Sequence, residues 1–435
     1  MRAEILTIGD ELCRGEIVDT NSSYLAARLW DLGITTRWMT SCNDDASDIA
    51  AALRQATARA DVVICSGGLG PTEDDLTVDV TAELAGVPVA IDEPARAKME
   101  AFFTARGDAR GQALAEIQLR QVRVPAGSRV HGNPLGLAPC FELPIGGIPV
   151  ICLPGFPREI SGIWDHSLGR RLAELREAGG GSPERIARRI YRAFGRGESQ
   201  LSQACRGLLA DDDRGASIHY QVKFPEVLVK LVVRDRAQDA ADARLAALDA
   251  DLRERCGPVL YGDGEETLVE RVMRRLLAAQ ATVATAESCT GGMIGEMLTR
   301  MPGSSAAFQG GAIVYSNAEK VRQLGVAEAT LAAHGAVSEP TVIEMANGAR
   351  ARFATRLAVS VSGVAGPDGG TPEKPVGTVW LALATPDRTH TRKLSWPGTR
   401  DQIRTIAAWW ALSMIDAALP SDAARDQARA AWVLP

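Results

Sequence analysis

Histidine is scarce in this chain, with five in 435 residues. His131, His166, His219, His334 and His390 never pair at metal-ligand spacing, which removes the usual histidine-built metal centre from consideration. The eight cysteines (Cys13, Cys42, Cys65, Cys140, Cys152, Cys205, Cys256, Cys289) are scattered and form no CxxC. They read as free thiols of a reducing compartment, not as a disulfide framework. Positive charge is not in excess, since 48 Lys and Arg face 54 Asp and Glu for a net charge of −6. Neutralising phosphates needs clustered cations, so composition argues against nucleic acid as a partner. No apolar run approaches the ~18–20 residues of a membrane span. The opening MRAEILTIGDEL lacks the basic stretch and long apolar run of a signal peptide. The expectation is a cytoplasmic protein without a membrane part.

What is present is a globular composition, 46% hydrophobic and 23% charged, in a chain long enough for two or three domains. Residues 1–168 alternate short β-rich runs (AEILTI, ITTRWM, DVVICSG) with helical patterns at about Ser22–Leu32 and Asp48–Ala60. That alternation implies a sheet of parallel strands with helices on its faces, binding ligands beyond the carboxyl ends of its strands. Residues 171–262, after the glycine-rich stretch Gly179-Gly180-Gly181-Ser182-Pro183, read as strand–helix–strand–strand–helix–strand, a ferredoxin-like or KH-like sandwich. An RNA-binding KH module wants a GXXG loop, and Gly195-Arg196-Gly197-Glu198 has the wrong pattern. A scaffold or dimerising role is therefore favoured for this unit. Residues 265–420 form a third unit, again α/β. It begins with an amphipathic helix at Glu265–Gln280, has two helices after GGAIVYS, and closes with a helix at Arg400–Ala418. The segment after Pro420 carries no assignment.

In TAESCTGGMIGE, Ser288 falls where a strand ends and a helix begins, close to main-chain N–H groups able to hold a developing oxyanion. A serine at such a place is also an ordinary helix cap. A nucleophilic serine needs a base, and the candidate is Lys320 in VYSNAEKVRQLG, with Tyr315 beside it. Desolvation can bring a lysine into that role. A solvated helix lysine and a core tyrosine are the plainer readings of those two residues. The run Ser362-Gly363-Val364-Ala365-Gly366-Pro367-Asp368-Gly369-Gly370 suits close main-chain approach to an anion, and is no P-loop because no Gly-Lys-Ser/Thr follows.

Together these segments resemble the CinA family of competence/damage-inducible proteins. The resemblance runs through AESCTGG, Tyr315-Ser316-Asn317 with Lys320, GAVSEPTV, SGVAGPDGG with KPVGTV, and PGTR before the last helix. It implies a carboxy-terminal α/β amidohydrolase domain that deamidates nicotinamide mononucleotide without a metal. Ser288 would be the nucleophile and Lys320 its base, with Tyr315 in support. Cys289, Thr290, Gly291 and Gly292 would surround the oxyanion, while Ser362, Gly363 and Arg400 would lie near the ribose phosphate. Cys289 is a rival nucleophile, thiols being intrinsically better ones.

In the amino-terminal unit, VVICSGGLGPTEDDLT ends a strand in a glycine turn and then presents Glu73, Asp74 and Asp75. Glycines let a phosphate approach the main chain, and adjacent carboxylates can share Mg²⁺ with it. A surface turn whose acids favour the next helix start is the alternative. IGDEL with Gly15, DTNSSYLAARL, SGGLGPTEDDLT, GNPLGLAP and LPGFPRE resemble the amino-terminal domain of the same family, which has the molybdopterin-binding fold with a parallel or mixed sheet. The resemblance implies an ADP-ribose pyrophosphatase using a divalent metal (Mg, Mn or Co). Its site would be Asp10, Asn21, Gly67, Gly68, Gly70, Thr72, Asp74, Asp75, Asn133 and Gly136, with Asp74 and Asp75 as metal ligands. Two departures stand out. Gly136-Leu137-Ala138-Pro139-Cys140 replaces the usual Gly-Thr-Ala-Pro-Gly, and Leu12-Cys13 replaces Leu-Leu. The resemblance also implies a homodimer. A molybdopterin-handling enzyme and a non-catalytic interaction protein of competence or DNA damage are the alternatives.

Overall fold

The computed structural model describes residues 1–105, 117–179, 185–210, 213, 215–421 and 424–434. Of the glycine-rich stretch read at 179–183, only Gly179 lies within the described residues. The chain divides into two compact units, Met1–Ile186 with Asp235–Gln238, and Ala187–Arg234 with Asp239–Pro435.

In the first unit the strands Arg2–Ile8, Val62–Ser66 and Ile148–Leu153 are almost wholly buried. Alternate residues point to opposite faces of a strand, so a strand covered on both faces reads as a continuous apolar run. Leu6, Ile8, Val63 and Cys65 pack on Ile49 and Leu53 of the helix Ala46–Arg59. Ile5 and Ile64 pack the other way, on Leu25 and Leu29 of the helix Thr20–Asp31. The six strands lie in the order Thr35–Cys42, Arg2–Ile8, Val62–Ser66, Ile148–Leu153, Cys140–Ile145, Arg129–His131. The first four are parallel, Cys140–Ile145 runs against them and Arg129–His131 runs against Cys140–Ile145, so the sheet is mixed. The reversal comes from a hairpin turning at Gly146 and Gly147, both at positive φ (58° and 84°).

The second unit holds two sheets. A four-stranded sheet, in the order Ala216–Lys223, Glu226–Asp235, Arg185–Ala193, Leu260–Asp263, carries the helices Glu198–Ala204 and Gln238–Cys256. This is the strand–helix–strand–strand–helix–strand order expected for 171–262. A five-stranded sheet follows in the order Phe308–Ile313, Val283–Glu287, Leu357–Gly363, Thr378–Ala384, Thr389–Ser395, parallel over its first three strands and antiparallel over its last two. The helix Arg400–Ala418 and the amphipathic helix Leu268–Ala278 share one core with Val283, Val359 and Leu381. After Ile313 there are three helices, not two: Asn317–Leu324, Glu328–His334 and Glu339–Arg352. Gly325, left-handed at φ 70°, ends the first of them.

The segment after Pro420 contains a helix, Ala424–Val433, that binds back onto this unit. Arg392 donates to the carbonyls of Trp432 (2.6 Å) and Val433 (3.2 Å), and Arg429 donates to that of Pro258 (2.9 Å). The Trp432 ring lies 5.4 Å from that of Trp410, so the tail touches both the segment before the four-stranded sheet's last strand and the five-stranded domain. Among the described residues no helix is long and apolar enough to cross a membrane.

Candidate active site

Ser288 follows the strand Val283–Glu287 directly, and its N–H still donates to Val361 on the neighbouring strand (3.0 Å). The chain must then reverse into the helix Met293–Thr299, and Gly291 and Gly292 make the turn at φ 62° and 96°, where a side chain would be strained. A Cβ on Gly292 would also lie 2.9 Å from Ile313. The result is a serine fixed at the carboxyl edge of the sheet, 8% exposed.

Lys320 comes from the helix Asn317–Leu324, started by Ser316, whose hydroxyl accepts the N–H of Glu319 (3.2 Å). Lys320 is 1% exposed, and its Nζ stands 3.0 Å from Ser288 Oγ. Nζ also donates to the carbonyls of Val314 (2.9 Å) and Tyr315 (3.4 Å). No carboxylate pairs with it among the described residues, and burial pulls its pKa below the ordinary lysine value. An unprotonated lysine has two N–H donors and one lone pair. With the two carbonyls taking the donors, the lone pair is left for the serine hydroxyl. The solvated-lysine reading is thereby excluded.

Tyr315 is no core aromatic. Its side chain is 61% exposed and its hydroxyl accepts from Arg400 Nη2 (2.9 Å), so it supports Lys320 only through its main-chain carbonyl. Arg400 opens the helix Arg400–Ala418, capped by Thr399 in a capping box with Gln402. Its other branch donates to the Gly366 carbonyl (2.7 Å), spanning the glycine loop and the tyrosine. Ser362 spends its hydroxyl on the Ala336 carbonyl (2.7 Å), and Gly363 has no room for a Cβ, which would fall 2.6 Å from Val379.

The oxyanion donors expected across Cys289–Gly292 divide into two groups. Gly291 N–H is taken by the Ser288 carbonyl (3.1 Å) and Gly292 N–H by Glu287 (3.0 Å), because the turn and helix start consume them. The N–H groups of Cys289 and Thr290 meet no protein oxygen among the described residues. Thr290 Oγ1 is buried without a partner there, and Arg404 Nη2 holds the Thr290 carbonyl (2.9 Å). Cys289 is 5% exposed, and burial pushes its thiol up to about 12, which leaves it protonated and weakens its claim as nucleophile. Sequence reasoning missed two residues here. Glu287 precedes the serine and was hidden by it, while Arg404 sits one helical turn after Arg400, a spacing that could have pointed to it.

At the carboxyl edge of the first sheet, Asn21, Gly67, Gly68, Gly70, Asp74 and Asp75 line a cavity of about 340 Å³. Gly67 stands at φ 113°, where a Cβ would fall 2.1 Å from the Ile8 carbonyl oxygen. Asn21 donates to Ser66 Oγ (3.1 Å) and to the Gly155 carbonyl (2.7 Å). The two carboxylates differ in what they do. Asp75 accepts from the N–H groups of Gly70 (2.7 Å) and Thr72 (2.8 Å) and from the Thr72 hydroxyl, so it fastens the loop. Asp74 lines the cavity.

The remaining expected residues do not line the cavity, although Asp44 and Glu159 beside them do. Asp10 and Asp44 bind each other's main-chain N–H (3.2 and 2.9 Å). Asn133 accepts from Gly136 N–H (2.9 Å) and donates to Glu159 (2.7 Å), which itself lines the cavity. Cys140, at the departure from the usual glycine, is fully buried at the start of its strand. Asp44 was not foreseen. Burial first, and then the charges of Glu11, Asp10 and Asp74, raise its carboxyl above the ordinary range. Among the described residues no three His, Cys, Asp or Glu side chains converge as a preformed metal cage.

A serine–lysine pair at one sheet edge and a glycine-walled acidic cavity at another mark out the class, a multidomain chain of mixed α/β sheets. Comparison with known proteins gives the family. The model "CinA C-terminal domain" matches residues 265–419, "Probable molybdopterin binding domain" matches 4–174, and "Damage-inducible protein CinA KH domain" matches 188–262. A CinA-like protein of Anaeromyxobacter sp. (strain Fw109-5) is 42% identical over 420 residues, covering 96% of this chain and 99% of that one. A CinA-like protein of Myxococcus xanthus is 42% identical over 418 residues, covering 95% and 97%. The chain belongs to the CinA family, with a molybdopterin-binding-type domain first, a KH domain in the middle and the CinA C-terminal domain last.

Among solved structures, the competence/damage inducible protein CihA of Agrobacterium tumefaciens is 40% identical over 34% of this chain and 92% of its own, with a TM-score of 0.34. CinA of Thermoplasma acidophilum is 33% identical over 39% of this chain and 97% of its own, with a TM-score of 0.36.

Proposed function

We propose that the carboxy-terminal domain hydrolyses nicotinamide mononucleotide to nicotinic acid mononucleotide and ammonia. The observation that carries this is the 3.0 Å contact between Ser288 Oγ and a buried lysine amine that no carboxylate charges. Ser288 attacks the carboxamide carbon while Lys320 takes the hydroxyl proton. The oxyanion would meet the N–H groups of Cys289 and Thr290, which bond no protein oxygen among the described residues. Lys320 then gives its proton to the leaving amine, and ammonia departs. Water follows the same path, losing a proton to Lys320 as it opens the acyl-enzyme and frees Ser288. Arg400, whose branches hold the Gly366 carbonyl and the Tyr315 hydroxyl, would meet the ribose phosphate. The Lys320→Met variant tests the reading, because it keeps the volume and removes the base. Ammonia release is expected to fall to background, and turnover near the wild-type rate would end the proposal.

For the amino-terminal domain we propose ADP-ribose pyrophosphatase activity, releasing AMP and ribose 5-phosphate. Asp44 and Asp74 both line the cavity, and burial, with the neighbouring charges of Glu11, Asp10 and Asp74 added, raises the Asp44 carboxyl; a cation held by Asp74 and Asp44 would relieve it. Such a divalent ion (Mg, Mn or Co) supplies charge neutralisation on the diphosphate when bound. The chain's own part is to present main chain at Gly67 and Gly68 to the phosphates and to hold that edge through Asn21. AMP release by the Asp74→Ala variant at the wild-type rate would refute this site. Both activities act on products of NAD breakdown, which places the protein in pyridine-nucleotide salvage, working in the cytoplasm as a homodimer.

A further inference from the structure

The KH domain contains a thiol pair that neither proposed activity uses. Cys205 caps the carboxyl end of the helix Glu198–Ala204, and Cys256 is the last residue of the helix Gln238–Cys256. The two are 51 positions apart in sequence, yet their Sγ atoms lie 3.6 Å from each other. Both belong to the single core between the helices and the four-stranded sheet. We propose that Cys205 and Cys256 are a reversible redox pair that closes to a disulfide when a hydroperoxide oxidises Cys205.

Three observations support the direction of the chemistry. A disulfide needs the sulfurs about 2 Å apart, so each side chain has to move by less than about 1 Å, and no strand register changes. Cys205 is the more accessible of the two, at 4% exposure against 0% for Cys256. Its surroundings also favour thiolate: the Cys256 sulfur is in hydrogen-bond contact with it, the Tyr220 hydroxyl adds a second contact, and the Arg255 charge lies nearby, all against burial.

The reaction balances in two steps. The Cys205 thiolate attacks one peroxide oxygen, the O–O bond breaks, hydroxide leaves, and Cys205 becomes a sulfenic acid. Cys256 sulfur then attacks the sulfenic sulfur, the S–O bond breaks, and water leaves with the Cys256 proton. In sum two thiols and one hydroperoxide give one disulfide and two waters, or one water and an alcohol from an alkyl hydroperoxide.

Cys13 is an internal reference, because it is the exposed cysteine among the described residues. Burial of its sulfur and the charges of Asp10, Asp44, Asp48 and Glu11 hold it as thiol. Cys65 and Cys152, opposite each other on adjacent parallel strands, are fully buried, and Cys65 is likewise held protonated. Ranking by exposure puts Cys13 first to oxidise; ranking by thiolate character and pairing puts Cys205 and Cys256 first.

The test uses the reduced full-length protein, graded hydrogen peroxide, alkylation under denaturing conditions, and peptide mass mapping. The expected result is a Cys205–Cys256 crosslinked peptide at doses where Cys13 still alkylates completely, reversed by a thiol reductant. In the Cys256→Ser variant the same dose should leave Cys205 as a sulfenic acid trapped by dimedone. Oxidation of Cys13 while Cys205 and Cys256 still alkylate would overturn the proposal. So would pairing of Cys205 with another cysteine. If the variant does not fold, the wild-type map decides alone.

Discussion

The carboxylate of Glu287 accepts the N–H of Gly292 at 3.0 Å, and two further N–H groups of the same helix start, Ile294 (3.1 Å) and Gly295 (2.9 Å), reach it as well. The residue before Ser288 therefore occupies the positive end of the helix after it, and the amides of Cys289 and Thr290 are the ones that bond no protein oxygen among the described residues. Glu287 is 1% exposed, so these bonds are not shared with bulk water. Glu287→Ala should lower stability by about 2–4 kcal/mol, from orphaned buried donors. It should also cut kcat more than it raises KM. Thermal unfolding and steady-state kinetics with nicotinamide mononucleotide check both.

Lys320 predicts the pH profile. Its pKa is depressed, so kcat/KM should rise with pH through a single limb lying below the 10.5 of a free lysine. The folded state binds fewer protons than the unfolded one between the depressed pKa and 10.5, so wild-type stability also rises with pH across that window. Lys320→Met should abolish the limb and remove that part of the stability slope. Unfolding midpoints measured from pH 7 to 10 would show this, and parallel curves for the two proteins would contradict it.

Arg400 separates binding from chemistry. It contacts Gly366 and Tyr315, not Ser288 or Lys320. Arg400→Ala should raise KM for the nucleotide by roughly 10- to 100-fold, as expected for losing about 1.5–3 kcal/mol of charged hydrogen bonding, and change kcat less. A fall in kcat alone would place the residue elsewhere in the reaction.

Asp74 and Asp75 should part company on mutation. Asp75→Ala removes the acceptor for two main-chain N–H groups and should cost about 1–3 kcal/mol of stability, with the loop disordered. Asp74→Ala should leave the unfolding midpoint in place and lose metal-dependent AMP release from ADP-ribose. Calorimetry beside a coupled AMP assay resolves the two.

The residues proposed to carry chemistry were legible because short motifs announce them. Ser288 in AESCTGG and Lys320 in YSNAEK were named from sequence, and the fold brings their side chains together. What was not legible depends on which groups are already spoken for. Gly291, Gly292, Ser362 and Asp75 were read as facing ligands, and the structure spends each on holding its own loop. Tyr315 was expected to support Lys320, and the part of it that reaches Lys320 is the main-chain carbonyl. The hairpin at Gly146-Gly147 was a sequence signal for antiparallel pairing, obscured by the apolar run around it. The tail helix Ala424–Val433 was missed because its two anchors, Arg429 and Trp432, make sense only against Pro258 and Trp410, far away in sequence.

The central claim is that Ser288 and Lys320 form a working amidase. Its most direct test is ammonia release from nicotinamide mononucleotide by the purified protein in excess chelator, beside the Ser288→Ala variant. The expected result is steady turnover to nicotinic acid mononucleotide by the wild type and none above background by the variant, with both proteins folded. Equal turnover by the two, or none from a folded wild type, would contradict the account.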